Sequence, residues 1–314
     1  MQREDFDAVL APRDLSQTSK TQYWSNCRRL HKILYGTPEM QNLDWVDTCC
    51  DDLFERIFDL PITSASNLVA TLCTITGCRE CTPPQVTETL QGLLEALVEQ
   101  RQELSGQRSP VQQDNWASWE ELRLMWQDMQ AETQALFDTP QACPSYQERR
   151  QMWDFVLVSL FLADSSNPPR RIMDYARLVY GPNNPEEKQQ NYACMSSGTF
   201  YFHKYKGSRR KGTQVVPIGP ILLDILKKWE LICCRRRVLH PLRGEARDLS
   251  SSVLSKHLQR IFTERLGKKI SCCLIRSIYI TYFYGARIRG RDCIDVAEKM
   301  GHSVRTALNV YHRP

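Results

Sequence analysis

The apolar residues of this chain change their spacing at one place, residues 195–220. On both sides they recur every three to four residues, as in amphipathic helices, whereas residues 199–206 and 213–218 are rich in aromatic and β-branched side chains. Residues 207–212 between these runs start and end with glycine and carry basic side chains. The pattern predicts a β-hairpin with a cationic tip. The predicted fold class is therefore mostly α, with a small antiparallel β-hairpin or sheet.

Residues 105–115 are polar, contain Gly and Pro and lack apolar periodicity, so they are the best candidate for a linker. Residues 1–104 show helical patterns separated by Pro and Gly, which predict an N-terminal helical domain. Residues 116–314 contain the predicted hairpin among further helices, which predicts a mixed α/β domain. A chain of 314 residues is long enough for both domains.

The composition is that of a soluble globular protein, with 42% hydrophobic and 25% charged residues. The longest apolar run, at residues 155–163, is much shorter than the roughly 18 residues of a membrane span. The N-terminus lacks the cationic-then-apolar pattern of a signal peptide. We therefore expect an intracellular protein without a membrane partner.

The cysteines do not indicate a disulfide scaffold, because there are 13 of them, at irregular spacing, in a chain that is not small. Cys73, Cys78 and Cys81 have a C-x4-C-x2-C spacing that could hold zinc with a fourth ligand. The candidates for that ligand are Cys49, Cys50 and His31. Free buried thiols are the simpler interpretation, and we expect no metal or cofactor.

Positive charge is concentrated in residues 201–314, which contain 24 Lys and Arg against 8 Asp and Glu, a balance of +16. Residues 1–200 contain the remaining 17 Lys and Arg against 28 Asp and Glu, a balance of −11. Such asymmetry indicates a polyanionic partner, with nucleic acid as the first candidate. The alternative is a basic face that only contacts solvent.

Two arginines are candidates for a functional site. Arg171 follows a Pro pair and precedes Asp174 by three residues, a helical spacing at which the carboxylate can orient the guanidinium. Arg276 lies in an otherwise apolar helical pattern, and a buried arginine needs an anionic partner, either a carboxylate or a phosphate. The alternative for the first pair is a surface salt bridge.

The C-terminal residues predict a helix–turn–helix arrangement that ends in a tyrosine. Gly301 is expected to end one helix and Ser303 to cap the next. We expect that short helix to direct Val310 inward and to present Tyr311. A tyrosine near a C-terminus is usually only a packed or fraying aromatic, so its role depends on the other residues.

This ordered set resembles the tyrosine recombinase (phage-integrase-like) family. The catalytic domain of that family carries an Arg, a hairpin Lys, an H-x-x-R block, an L-G-H block and a nucleophilic Tyr nine residues after that His. The segment RRIMDYARL matches the first block, MGHS the fourth, and LSQTSKTQY the start of the family's helical core-binding domain. The matching residues here are Arg171, Asp174, Lys206, Arg276, His302 and Tyr311. The resemblance spans nearly the whole chain.

Three features depart from the family pattern. Cys273 stands at the His of H-x-x-R, so the function of that His is weakened or reassigned, and Gly207 replaces the Thr that usually follows the hairpin Lys. The chain ends three residues after Tyr311, where many relatives continue into a helix that docks on a neighbouring protomer. Either this subgroup assembles differently or the sequence is cut there. The segments PPRRIMDY and NWASWEEL resemble recombinases of eukaryotic mobile elements (Crypton-like) and large DNA viruses more than bacterial chromosome-resolving enzymes. If the protein comes from such a eukaryotic element or virus, we expect it in the nucleus.

The resemblance implies a specific chemistry without metal or ATP. Arg171, Arg276 and His302 would hold the nonbridging oxygens of a DNA phosphate, with Asp174 in support. Lys206 would protonate the leaving 5′ oxygen, although Lys204 and Lys211 are close in sequence. A tyrosine hydroxyl, with an ordinary pKa of about 10, must lose its proton as it attacks. The product would be a 3′-phosphotyrosyl link.

The implied partner is double-stranded DNA with a specific recombination site. The resemblance implies two strand exchanges through a Holliday junction in a homotetramer of two dimers, whose subunits are monomers or weak oligomers when free. The candidates for contact with the DNA backbone are Lys204, Arg209, Arg210 and Lys211. Two alternatives stay open: a type IB topoisomerase that nicks and closes DNA, and a domesticated recombinase that only binds it.

Overall fold

The structure, a computed structural model, describes residues 1–48, 50–57, 59–104, 106–138, 144–183, 185–242, 249–285 and 290–313. At residues 50–52, 54, 290 and 291 only the backbone is described. The chain forms two compact units, Met1–Ser105 and Gly106–Pro314. No helix among the described residues combines the length and the apolar character that a membrane crossing requires.

The first unit is helical throughout its described part. Helix α2 begins where the Ser16 side chain accepts a hydrogen bond from the Ser19 amide, and it ends at Gly36, whose φ of +79° is left-handed. Helix α4 packs against α2 and α5 around buried Leu and Val side chains. The elements are α1 Arg3–Val9, α2 Gln17–Tyr35, a 3₁₀ helix Asp44–Asp47, α3 Cys50–Ile57, α4 Ile62–Thr76 and α5 Pro84–Glu103.

The second unit is built around α8, which is buried over residues 155–162 and packs against α7, α11 and α12. Because it has neighbours on several sides, this helix is apolar around most of its circumference. The helices are α6 Pro110–Asp114, α7 Trp119–Asp138, α8 Tyr146–Leu162, α9 Ile172–Ala176, α10 Ser208–Lys211, α11 Pro220–Cys233, α12 Ser251–Leu266, α13 Cys272–Gly285, α14 Gly290–Lys299 and α15 Val304–Thr306. A π-helical turn, Ala307–Tyr311, continues α15; together they form the terminal helix, residues 304–311.

A small sheet lies in the second unit, with strand order β1-β2-β3-β4. Strands β1 and β2 pair in parallel, whereas the other two pairs are antiparallel. The predicted hairpin is β3–β4, but β3 ends at Phe202, and the short helix α10 forms in its loop. The strands are β1 Leu178–Tyr180, β2 Asn191–Cys194, β3 Thr199–Phe202 and β4 Gln214–Pro217. The predicted fold class, mostly α with a small β element, is confirmed.

Residues 106–115, within the segment predicted as a linker, pack as part of the second unit. Helix α6 starts at a capping box in which Ser109 and Gln112 satisfy each other's backbone amides. Arg108 donates two hydrogen bonds to the carbonyl oxygen of Arg313, and its guanidinium lies 4.0 Å from the centre of the Trp116 ring. This segment therefore contacts the end of the chain.

No cysteine whose side chain the structure describes forms a disulfide. Among the described residues, no group of three or more His, Cys, Asp and Glu side chains is arranged to hold a metal ion. His31 Nδ1 lies 2.6 Å from the carbonyl oxygen of Thr37. Cys49 and the side chain of Cys50, two of the possible zinc ligands, lie outside the described residues.

Candidate active site

Helix α13 carries Arg276 into the centre of the second unit, where its side chain is fully buried. Its Nη1 donates to the carbonyl oxygen of Pro169 at 2.6 Å, and Nη1 and Nη2 both lie 3.4 Å from the carbonyl oxygen of Met300. Its Nε is buried without a hydrogen-bond partner in the described part of the chain. No described carboxylate forms an ion pair with this guanidinium, which contacts carbonyl oxygens and interacts with the charge of buried Asp174 only at longer range.

The terminal helix places Tyr311 against Arg276. The guanidinium carbon lies 4.6 Å from the centre of the tyrosine ring, and the backbone amide of Arg313 donates to Oγ1 of Thr281 on α13 at 2.8 Å. Tyr311 is buried, but Val310 is 46% exposed. The expectation that Val310 points inward was wrong, because the π-helical turn directs Ala307 and Tyr311 to the core instead.

A Schellman motif at the end of α14 fixes the backbone of His302. Gly301 has a φ of +75°, its amide donates to Glu298 O at 2.8 Å, and the amide of His302 donates to Ala297 O at 3.0 Å. Ser303 then caps the terminal helix by accepting a hydrogen bond from the Thr306 amide at 3.2 Å. Both ends of this turn are as the sequence predicts.

The imidazole of His302 is buried and stacks on the ring of Tyr311, with centroids 5.2 Å apart and planes at 24°. Its Nδ1 lies 3.1 Å from the carbonyl oxygen of Ser303, which can only accept, so Nδ1 carries the proton. Its Nε2 is buried and has no partner among the described residues. Burial, followed by the charges of Arg276, Arg171 and Lys211, lowers the pKa of His302 to about 3. At neutral pH the ring is therefore neutral, and Nε2 is a hydrogen-bond acceptor.

Arg171 is the residue immediately before α9, and its Nη1 donates to the carbonyl oxygen of Gly301 at 3.3 Å. The expected pairing of Arg171 with Asp174 was wrong. Asp174 is fully buried and accepts instead from Nε of Arg170 at 2.9 Å. The helical spacing argument fails because α9 begins only at Ile172, so Arg171 lies outside it.

The hairpin lysines lie in different surroundings. Lys206 is exposed on the loop between β3 and α10, and Lys204 is held through its backbone by the side chain of Asn191, at 2.8 and 3.0 Å. Lys211 is exposed on α10, and its charge reaches His302. Gly207 has a φ of +100°, which explains why no Thr stands at this position.

Helix α10 and the start of α13 hold the other candidates. Arg209 and Arg210 are exposed on α10 beside Lys211. Cys273 is exposed at the second position of α13, while the neighbouring Cys272 is buried and its Sγ lies 3.3 Å from the carbonyl oxygen of Arg170. The site residue that sequence reasoning missed is Arg170, for which the only signal was the Arg-Arg doublet.

Side chains of two arginines, a histidine and a tyrosine meet at one turn. Arg276 and Arg171 converge on the turn at residues 300–302, and the ring of Tyr311 lies against both Arg276 and His302. A phosphate that entered here would offset the charge on the guanidiniums and would have a tyrosine hydroxyl nearby. Such a site suits nucleophilic attack on a phosphodiester.

No protein-family model matches the chain, and no characterised protein sequence does. Among solved structures, the chain is similar to one described as the crystal structure of XerA recombinase, with a TM-score of 0.43 and 8% sequence identity. That match covers 100% of this chain and 94% of the other.

Proposed function

We propose that this protein cleaves and rejoins DNA strands by the chemistry of a tyrosine recombinase, with Tyr311 as the nucleophile. The observation that carries the proposal is the contact of the Tyr311 ring with both Arg276 and His302. These three residues come from α13, the α14 turn and the terminal helix. A buried arginine without a described carboxylate partner explains why this group needs an anionic substrate.

In the attack step, the Tyr311 oxygen forms a bond to a DNA phosphorus while the bond from phosphorus to the 5′ oxygen breaks. Charge that builds on the nonbridging oxygens is stabilised by Arg276 and Arg171, each contributing roughly 3 kcal/mol to the barrier reduction. The phenolic proton is released to water as the oxygen attacks, because His302, with a pKa lowered to about 3, is too weak a base to take it. Neutral His302 stacks on the Tyr311 ring and orients it.

The departing 5′ oxygen needs a proton, which a hairpin lysine supplies. Lys206 is our first candidate because it is exposed on the β3–β4 loop and matches the family's hairpin lysine. Lys211 is the second candidate, because its charge lowers the pKa of His302 and it is therefore close to the site. The 3′-phosphotyrosyl product conserves the energy of the broken diester, so a 5′ hydroxyl can reverse the step and join strands.

The proposal includes the partners. The basic residues of α10 would contact the backbone of double-stranded DNA at a specific recombination site. Strand exchange through a Holliday junction requires a tetramer of this chain on DNA. Because Tyr311 contacts Arg276 and His302 of its own chain, we propose that each protomer cleaves with its own tyrosine.

The decisive experiment is covalent trapping. The protein is incubated with a pool of nicked duplexes of random sequence. The short fragment between the cleaved phosphate and the nick, which carries the new 5′ hydroxyl, diffuses away, and the products are separated under denaturing conditions. We expect a protein–DNA adduct that Tyr311→Phe abolishes, because this substitution removes only the hydroxyl. The matched control is Tyr282→Phe on α13, where the side chain is 46% exposed.

The outcomes separate the alternatives. An adduct that survives in Tyr311→Phe refutes Tyr311 as the nucleophile. The absence of an adduct on DNA that the protein binds refutes it as well and favours a protein that only binds DNA. An adduct with relaxation of supercoiled plasmid, but without joined products from two duplexes, assigns the chemistry to a topoisomerase. An adduct with joined products supports a recombinase.

A further inference from the structure

Arg170 is a further cationic side chain at the site, and acceptors of the protein itself occupy all its nitrogens. Its side chain is 2% exposed, and its guanidinium lies 3.9 Å from the centre of the Phe202 ring on β3. Nε donates to Asp174 at 2.9 Å, Nη1 to the carbonyl oxygen of Lys299, and Nη2 to Oε1 of Gln214 at 2.9 Å. Each nitrogen thus has an acceptor, on three different elements.

These acceptors belong to the parts that carry the proposed chemistry. Lys299 is the last residue of α14, three residues before His302, and its carbonyl is one that a helix end leaves without an internal partner. Gln214 begins β4, directly after the loop with the candidate lysines. Its Nε2 also donates to the carbonyl oxygen of Glu298 at 3.0 Å. Arg170 and Gln214 therefore bind the hairpin to the His302 turn.

The turn itself is fitted to this guanidinium. A Cβ atom added to Gly301 would lie 3.0 Å from Nη2 of Arg170, so the turn backbone approaches the arginine closely. Asp174 forms its ion pair with Arg170, whereas neither Arg171 nor Arg276 has an ion-pair partner among the described residues. The planar guanidinium reaches three acceptors in fixed directions, whereas the lysine ammonium lacks this geometry.

We propose that Arg170 is a positioning residue, which holds the hairpin lysine and His302 at the correct distances from the same phosphate. This inference rests on the proposed function. It touches neither substrate nor the reacting atoms. It acts through Gln214 on the hairpin and through Lys299 on the turn. Misplacement of catalytic groups by about 1 Å costs roughly 100-fold in rate, so the loss of Arg170 is expected to be seen in the cleavage step.

The test compares two substrates of the sequence recovered by trapping. One is the ordinary nicked duplex, and in the other a sulfur replaces the bridging 5′ oxygen at the cleaved phosphate. A thiolate leaves without protonation, so the second substrate does not need the hairpin lysine. Single-turnover rates of adduct formation are measured at saturating protein for the wild type, Arg170→Gln and the milder Gln214→Ala.

We expect Arg170→Gln to lose about 100-fold on the ordinary duplex and about tenfold or less on the sulfur substrate, with Gln214→Ala following the same pattern more weakly. The matched control is Arg123→Gln. Arg123 also donates to the carbonyl oxygens at a helix end, those of Leu162 and Ala163, and lies over a ring, that of Trp126. Its loss should change both rates by the same factor.

A merely structural role would reduce the fraction of folded protein and lower both rates equally. Equal losses on the two substrates in both Arg170→Gln and Gln214→Ala, or rates within about threefold of the wild type, would therefore overturn the positioning role while the Tyr311 adduct still stands. If the wild type itself forms no Tyr311-dependent adduct, the proposed function fails and this inference fails with it.

Discussion

At the scale of single residues, His302 has the most sharply defined chemistry. The Ser303 carbonyl fixes the proton on Nδ1, and burial with nearby Arg276 lowers the pKa to about 3. An unfolded histidine titrates near 6.5, so between these values the unfolded chain binds more protons than the folded one. The stability that neutral His302 contributes is therefore present above about pH 6.5 and is lost as the pH falls toward 3.

This linkage predicts the pH dependence of unfolding. Between pH 7.5 and pH 5, the wild type should lose about 2 kcal/mol more of its free energy of unfolding than His302→Gln does. The measurement is urea denaturation of both proteins at the two pH values. Equal losses in the two proteins would show that His302 is not held neutral in the folded protein.

Residue-level predictability depended on whether the local geometry was helical. Gly301 and Ser303 were predicted correctly because a left-handed C-cap and a serine N-cap are determined by neighbours in sequence. The ion-pair partner of Asp174 was not predicted correctly, because the choice between Arg170 and Arg171 depends on where α9 begins. The contacts of Arg170 join residues that are far apart in sequence, so no periodic pattern indicates them.

At the scale of elements, the β3–β4 hairpin decides which lysine is the general acid. We expect Lys206→Ala to lower the rate of adduct formation on the ordinary duplex by about 100-fold or more, and to recover most of that loss on the sulfur substrate. Lys211→Ala is the matched comparison from the same loop. It should weaken binding and show equal losses on both substrates.

The reverse pattern would identify Lys211 as the general acid. In that case Lys211→Ala, but not Lys206→Ala, would regain its lost rate on the sulfur substrate. The charge of Lys211 already lowers the pKa of His302. If neither variant regains its rate on the sulfur substrate, neither Lys206 nor Lys211 protonates the leaving oxygen. The measurement is the ratio of single-turnover rates on the two substrates, which cancels effects on folding.

Strong local patterns predicted most of the elements, but not β1 and β2. Helices α2 and α7 follow apolar periodicity and serine caps, at Ser16 and Ser118. Strands β1 and β2 have only three and four residues, too few to show an alternation. Their parallel pairing, with Leu178 opposite Asn191, is a non-local contact. The hairpin was found because its loop carries glycine at both ends.

At the scale of the whole molecule, the charge asymmetry predicts how DNA affinity responds to salt. About five phosphate contacts, from the two site arginines and the cations of α10, correspond to a slope of about −4.5 for log affinity against log salt concentration. Replacing Arg209, Arg210 and Lys211 together by Ala should make this slope less steep by about 3 units, on specific and random DNA alike. Fluorescence anisotropy across a salt series measures both.

The matched control removes three positive charges near β1, the opposite edge of the sheet from β4. The three residues are exposed on or just after α11: Lys227, Arg235 and Arg236. They lie near β1 because the carbonyl oxygen of Arg236 accepts a hydrogen bond from the amide of Tyr180. Their replacement by Ala lowers the net charge by three but should leave the slope nearly unchanged, because counterion release counts contacts and not net charge. Equal changes in both triple variants would mean that DNA senses only the total charge, and a flat wild-type slope would contradict a DNA interface on this unit.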